Sequence, residues 1–223
     1  MAQAVVVVDL GYGDAGKGGI TDFLTGEMGA KMICRFNGGG QAGHHVVTPD
    51  GRQHTFSQFG SGMFVPGVRT VLSKYTLVSP LAMLAEAEHL ASVGVPDALS
   101  RTFIDENALI VTPYHRALNQ LRETLRGSGR HGSCGMGIGE TVSDCLAYGP
   151  EAMLRVGDLR SPIETRFRLE LIRNRLWRPL EDCDAAMIEA FMHGAARMVL
   201  SLGGILSSTQ IMARLARASK GAT

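Results

Sequence analysis

Little in this chain points to a membrane, a nucleic acid or a metal framework. No run of about 18 or more apolar residues occurs, so no transmembrane helix is expected. Charge of one sign is missing as well: 22 Lys and Arg face 21 Asp and Glu, a net charge of +1. That balance leaves no electrostatic footprint for nucleic acid or an anionic membrane surface. Cysteine is scarce. Cys34, Cys134, Cys145 and Cys183 form no C-x-x-C pair, and their spacing suits neither zinc nor a disulfide framework. Reduced thiols in a cytoplasmic protein are expected. The first residues lack the basic segment and small-residue cleavage site of a signal peptide, and they read as a first strand.

Glycine is what the chain has in quantity, 28 of 223 residues, and much of it falls in three loops. The first follows the β-branched run Val5-Val6-Val7-Val8: Gly11-Tyr12-Gly13-Asp14-Ala15-Gly16-Lys17-Gly18-Gly19. Glycines let the backbone approach a polyphosphate, loop N–H groups point inward, and the N-terminus of the next helix favours anions. Gly11 to Lys17 fits the spacing G-x-x-x-x-G-K. Gly18 stands where a P-loop carries its metal-binding hydroxyl, so another group must hold the metal, and Asp14 is the candidate. Lys17 would neutralise phosphate charge as a point cation. Asp14 could alternatively abstract a proton.

The second loop is Asn37-Gly38-Gly39-Gly40-Gln41-Ala42-Gly43-His44-His45. His44 could give a hydrogen bond or proton to charge developing on a transferring group. The third runs from Gly127 to Gly139 and carries Arg130, His131, Ser133 and Cys134. No base is placed beside Ser133 or Cys134 by sequence, so phosphate contact fits them better than nucleophilic attack. His54, His89, His115 and His193 sit in strand or helix patterns and read as structural or surface residues. Trp177 and the arginines at 166, 168, 173, 175 and 178 read as a solvated helix face or a subunit contact.

The pattern predicts strands over 4–10, 32–36, 68–72 and 107–112, and a hairpin turning at Pro49-Asp50-Gly51. Helices are predicted over 17–28, from Pro80 to about Val93 with Ser79 as cap, over 113–126, 163–177 and 185–201. The stretch 207–223 reads as a terminal helix or a frayed end. Strands alternating with helices indicate an α/β fold, a mainly parallel sheet with flanking helices. Its core is P-loop-like and its C-terminal part helical. Ligands of such sheets bind at the carboxyl ends of the strands.

Five segments in order resemble one family. Gly13-Asp14-Ala15-Gly16-Lys17-Gly18 is similar to the G-D-E-G-K-G loop of adenylosuccinate synthetases. Residues 38–45 resemble that family's G-G-H-N-A-G-H-T, and residues 133–139 its T-T-G-R-G-I-G. Leu77-Val78-Ser79-Pro80 and Arg155-Val156-Gly157-Asp158-Leu159 resemble its V-L-S-P and R-V-G-D-L.

The resemblance implies a ligase of purine nucleotide biosynthesis, working as a homodimer on IMP, L-aspartate, GTP and Mg2+. Asp14 would take the N1 proton of IMP, the γ-phosphoryl of GTP would pass to O6 with His44 stabilising the charge, and aspartate would displace phosphate. Gly13, Asp14, Ala15, Gly16, Lys17, Gly18, Gly19, Gly43, His44 and His45 would hold GTP phosphates. Asp14, Lys17, Gln41, Ala42, Gly43, His44 and Cys134 would face IMP, and Asp14 with Gly43 would hold the metal. Ala15, Gly40, Gln41, His45, Cys134 and Met136 depart from the family pattern. No F-E-G-A-Q-G or N-K-x-D segment is present, which implies a short or truncated member lacking the C-terminal half. Residues 1–160 are expected to form the GTP- and IMP-binding core, and 161–223 a helical extension with no recognised motif. Two other readings stay open: an inactive nucleotide-binding remnant or regulatory protein, and a phosphotransferase with a different acceptor.

Overall fold

The computed structural model describes residues 3–11, 13, 15–129, 132–176 and 185–220. In chain order its elements are α1 (Lys17–Glu27), β1 (Met32–Gly38), β2 (His44–Val47), β3 (Gln53–Phe56), β4 (Arg69–Val78) and α2 (Pro80–Ser92). There follow β5 (Thr102–Asp105), β6 (Leu109–Ile110), α3 (Pro113–Leu125), α4 (Ile138–Tyr148), α5 (Pro162–Leu176), α6 (Ala185–Ser201), β7 (Gly204–Leu206) and α7 (Ser208–Lys220).

β4 organises the sheet. Its two apolar stretches, Thr70–Leu72 and Thr76–Val78, are buried, as suits a strand covered on both faces. β1 runs parallel along one edge, pairing Ile33 with Thr70 and Gly38 with Thr76. On the other edge the first half of β4 pairs with β5 and the second half with β6, both parallel. β7 lies parallel beyond β5. Since parallel strands point the same way, the ends of β1 and β4 deliver the chain to one side of the sheet, where the second loop begins. The antiparallel β2–β3 hairpin closes that loop, turning at Gly51 as its Pro-Asp-Gly predicts.

The main core gathers Phe56, Phe59, Met63, Leu72, Met83, Leu90, Ile104 and Ile110, all 2% exposed or less. Complete burial of each such side chain contributes about 1.5–3 kcal/mol. A smaller cluster of Val71, Phe103, Leu206 and Ile211 seats α7. The 207–223 stretch is therefore docked by Ile211 rather than frayed over its described part.

Several predicted elements shift. Residues 3–10 form no strand and join no ladder, with Val6 80% and Leu10 96% exposed. A strand is made by its neighbour's hydrogen bonds, and no described residue supplies one here. The 107–112 strand shrinks to β6, while β5 and β7 arise from segments too short to show periodicity. α4 lies in a stretch not predicted helical. Arg175 does not join the solvated face; it turns inward to Asp144. Arg166 and Arg168 do face outward, on Glu189 and Glu164. Trp177, Arg178 and Cys183 lie outside the described residues. Among the described residues, no helix is long and apolar enough to cross a membrane.

Candidate functional site

The first loop enters α1 through Gly16, whose φ of 73° is the left-handed region that glycine tolerates best. No side chain caps α1, so the N–H groups of its first turn stay free for an anion. Lys17 opens that turn and its Nζ donates to the Gly13 carbonyl at 2.8 Å. The same ammonium donates to the carboxylate of Asp9, which also accepts the Gly11 N–H at 2.7 Å. The Lys17 bond, followed by the Gly11 bond, holds the Asp9 carboxyl below the ordinary carboxylate range. Asp9 thus meets one ammonium and one loop N–H, the donors a phosphate oxygen would want. Gly13, Ala15, Gly16 and Gly19 are exposed around them. Asp14 lies outside the described residues.

The second loop is pressed onto α1. A Cβ at Gly18 would stand 2.5 Å from the His44 Cβ and 2.9 Å from its Cα. Only a residue without a side chain lets the α1 turn reach the start of β2, and this contact puts Lys17 and His44 in one neighbourhood. Burial, then the nearby charges of Arg35 and Lys17, push the His44 imidazole below its ordinary value. The ring is therefore neutral at neutral pH. His45, next on the strand, points to the other face, and its Nδ1 pairs with Thr55 Oγ1 at 3.0 Å. Gln41, Ala42 and Gly43 are exposed.

These placements make a pH prediction. In a ring titration followed by NMR, His44 is expected to lose its proton below about pH 6.5. Inorganic triphosphate is expected to move that midpoint upward, since an anion favours imidazolium. An unmoved midpoint would separate His44 from the anion site.

The third loop meets the second from the far side. A Cβ at Gly39 would stand 2.6 Å from Ile138 Cδ1, and one at Gly40 would stand 3.4 Å from Met136 Cε. Gly137, at φ 77°, caps α4 and lies flat on α3, where a Cβ would stand 2.7 Å from the Arg116 nitrogen. Asn119 fixes the loop from α3: its Oδ1 accepts the Gly137 N–H and its Nδ2 donates to Ser133 Oγ, both at 3.2 Å. Cys134 is exposed and unbonded to another cysteine.

Beneath the loop lies a buried charge network. Thr112 donates to His115 Nδ1 through Oγ1 at 2.8 Å and through its N–H at 3.3 Å. The proton of His115 therefore sits on Nε2, which donates to Asp144 Oδ2 at 3.0 Å. Arg175 makes a two-pronged pair with the same carboxylate, at 2.7 and 2.6 Å. Burial pushes the Asp144 carboxyl up, but the His115 and Arg175 bonds outweigh it and hold the group below the carboxylate range. His115 is thus structural, as its pattern predicts. His54 is too: it is buried, with its Nε2 3.4 Å from Glu86 Oε1 and its Nδ1 2.7 Å from the Nδ1 of the exposed His89.

Three loops far apart in sequence therefore converge, first on second through Gly18 and His44, second on third through Gly39 and Ile138. Sequence reasoning passed over Asp9 and Arg35. Asp9 was legible as a carboxylate ending an apolar run. Arg35 shows no motif: it is desolvated and bonded to the Ser57 and Phe59 carbonyls, and it matters by its charge near His44. Among the described residues, no group of three or more His, Cys, Asp or Glu could hold a metal.

A family model described as adenylosuccinate synthetase matches residues 6–220. The adenylosuccinate synthetase of Thermobifida fusca is 37% identical over 171 residues, 77% of this chain and 38% of that protein. That of Paraburkholderia phymatum is 39% identical over 158 residues, 71% of this chain and 34% of its own. The chain thus spans well under half the length of these curated relatives. Two solved structures share the fold. Fully ligated adenylosuccinate synthetase from Plasmodium falciparum aligns with a TM-score of 0.76 at 22% identity, over 92% of this chain and 47% of that one. Cyanophage S-2L succinoaminodeoxyadenylate synthetase, bound to dGMP and dATP as an energy donor, aligns with a TM-score of 0.57 at 18% identity, over 92% and 46%. With nearly its whole length matched by the family model, this chain belongs to the adenylosuccinate synthetase family.

Proposed function

We propose that this chain carries the phosphate-handling half of a C–N ligase that activates the O6 of IMP with GTP and lets L-aspartate displace the phosphate. The observation that carries this reading is the Gly18–His44 contact, which sets the Lys17 ammonium, the free N–H groups of α1 and a neutral imidazole around one space. Lys17 and residues 13–19 bind the triphosphate, and Gly43 and His45 flank it. His44, neutral before reaction, donates its N–H to charge that grows on the transferring phosphoryl. Asp14 takes the N1 proton of IMP, so that O6 gains the electron pair that forms the new P–O bond while GDP leaves. The aspartate amine then bonds C6, and phosphate leaves with the O6 oxygen. Gln41, Ala42 and Cys134 stand on the IMP side. Asp14 and the Gly43 carbonyl would hold Mg2+, which supplies charge neutralisation on the phosphates.

Residues 1–160 form the binding core in this reading and 161–223 its extension. The protein works in the cytoplasm, in keeping with the free thiols of Cys34 and Cys134, and as a homodimer. A second reading, a phosphate-binding protein without turnover, draws on Asp9 occupying Lys17. The donor base is a further variable, because one fold relative carries dATP.

Phosphate release and the ultraviolet change of IMP, with GTP or ATP, Mg2+ and aspartate, separate these readings. Turnover supports the ligase; nucleotide binding without turnover supports the second. Asp9→Asn is expected to tighten triphosphate binding about two- to fivefold by freeing Lys17. Lys17→Met is expected to weaken it about tenfold to a hundredfold. Calorimetry with inorganic triphosphate reads both, and equal affinities across the three proteins would reject the cradle.

A further inference from the structure

The third glycine loop makes few bonds of its own. No described residue forms a backbone-to-backbone hydrogen bond with Ser133, Cys134, Gly135 or Met136. Gly135 and Gly137 stand at φ 65° and 77°, in the left-handed region, so the chain turns sharply with no ladder to support it. Side chains of α3 supply the support instead. Asn119 Oδ1 accepts the Gly137 N–H and its Nδ2 donates to Ser133 Oγ, both at 3.2 Å. One amide thus bridges the two ends of the stretch Ser133–Gly137, which carries Cys134. Gln120, the next residue of α3, lies against Gly135, where a Cβ would stand 3.3 Å from its Cγ.

α3 is a firm base for this clamp. Its N-terminus is closed by the Thr112–His115 capping box, and Tyr114, His115 and Leu118 are buried along it. The clamp also bears on the second loop. Gly137 leads into Ile138, whose Cδ1 would be 2.6 Å from a Cβ at Gly39, and Met136 Cε would be 3.4 Å from one at Gly40. Gln41 and Ala42 follow directly on that contact. Asn119 therefore sets where the third loop rests, and the third loop forms a wall against which the start of the second is packed. The Gly18–His44 contact, which serves the triphosphate, joins α1 to β2 and involves neither α3 nor the third loop.

We infer that Asn119 is a positioning residue for the acceptor nucleotide: its two hydrogen bonds hold the third loop so that Cys134 and the Gln41–Ala42 pair face one ligand. The inference rests on the ligase reading above and names the residue that shapes its IMP side. An amide suits this place because one planar group offers an acceptor to a backbone N–H and a donor to a hydroxyl. Leucine here keeps the helix, since its helix propensity exceeds that of asparagine, and removes both bonds.

The test is calorimetry of the full chain with IMP and, separately, with inorganic triphosphate. Asn119→Leu is expected to weaken IMP about tenfold, the scale of two lost hydrogen bonds, and to leave triphosphate within about twofold. Hydrogen exchange of the Gly137 amide should quicken in the same variant. Asn119→Asp should restore IMP binding to within about threefold, since the carboxylate accepts the Gly137 N–H and the Ser133 hydroxyl turns to donate. Unmoved IMP affinity in Asn119→Leu, equal loss of both ligands, or an Asn119→Asp protein no better than Asn119→Leu would each overturn the role. An unaltered chain that binds triphosphate but no IMP overturns the ligase reading, and this role with it. Should Asn119→Leu fail to fold, Ser133→Ala decides, because it removes one of the bonds from the loop side. IMP weakened about threefold with triphosphate unmoved then supports the clamp, and unmoved IMP rejects it.

Discussion

Asp144→Ala is expected to lower the unfolding free energy by about 3–5 kcal/mol, the range for removing one partner of a buried ion pair. The Asp144 side chain is 2% exposed and the Arg175 side chain 12%. Its loss leaves the Arg175 guanidinium buried without its carboxylate and the His115 Nε2–H without an acceptor. The His115 side chain is fully buried and the Arg175 side chain largely so. Urea denaturation monitored by circular dichroism measures the loss, and a change under about 1 kcal/mol would show the network to be dispensable. Asp144→Asn, which keeps the shape and one acceptor, should lose less.

The same pair sets an acid limit on stability. The folded Asp144 carboxyl is held below its ordinary range and the unfolded one is not. As pH falls, the unfolded chain takes up this proton first. The contribution is complete above about pH 4 and drains as pH drops through the folded value. Because Gly137 caps α4 against α3, loosening this network frees the third glycine loop as well.

Gly18→Ser is expected to abolish triphosphate stabilisation, although it restores the hydroxyl that a P-loop carries at this place. A Cβ there would stand 2.5 Å from the His44 Cβ and 2.9 Å from its Cα, closer than real Cβ atoms approach. Both atoms are near the backbone, so no rotamer change relieves the clash. His44 and the start of β2 must move away from α1, which separates the imidazole from Lys17. The melting-temperature shift given by triphosphate should vanish, along with the triphosphate-induced change in the His44 titration. A Gly18→Ser protein that keeps both would show that the α1–β2 contact plays no part in anion binding. Gly26→Ser is the matched control on the same helix, since a Cβ at Gly26 meets nothing within 4 Å.

Where local chemistry decides, the reading from sequence and the fold agree. Pro80 and Pro113 start helices at the positions expected, because a missing N–H matters least there. The Pro-Asp-Gly turn closes its hairpin through Gly51, and the second glycine loop sits at the carboxyl end of β1. Where pairing decides, the two part. The Val5–Val8 run has the composition of a strand, but no described strand lies beside it. β5 and β7 are four and three residues long and exist because β4 and β5 offer edges to them. Ser79 occupies a cap position without capping, since its surroundings, not its identity, settle where its hydroxyl goes.

The candidate site divides the same way. Lys17, His44 and the glycines around them are legible from residue type and spacing, because phosphate chemistry needs a cation, free N–H groups and close backbone. The family was legible from five short segments in order. That Asp9 holds Lys17, that Arg35 bears on His44, and that Gly18 is required by His44 all depend on contacts between segments distant in the chain. Order along the chain carries the chemistry available to this protein, since it selects the groups. Tertiary packing decides which groups meet, which are desolvated and which remain unpaired, since those depend on distance in space, and spacing in sequence does not encode it.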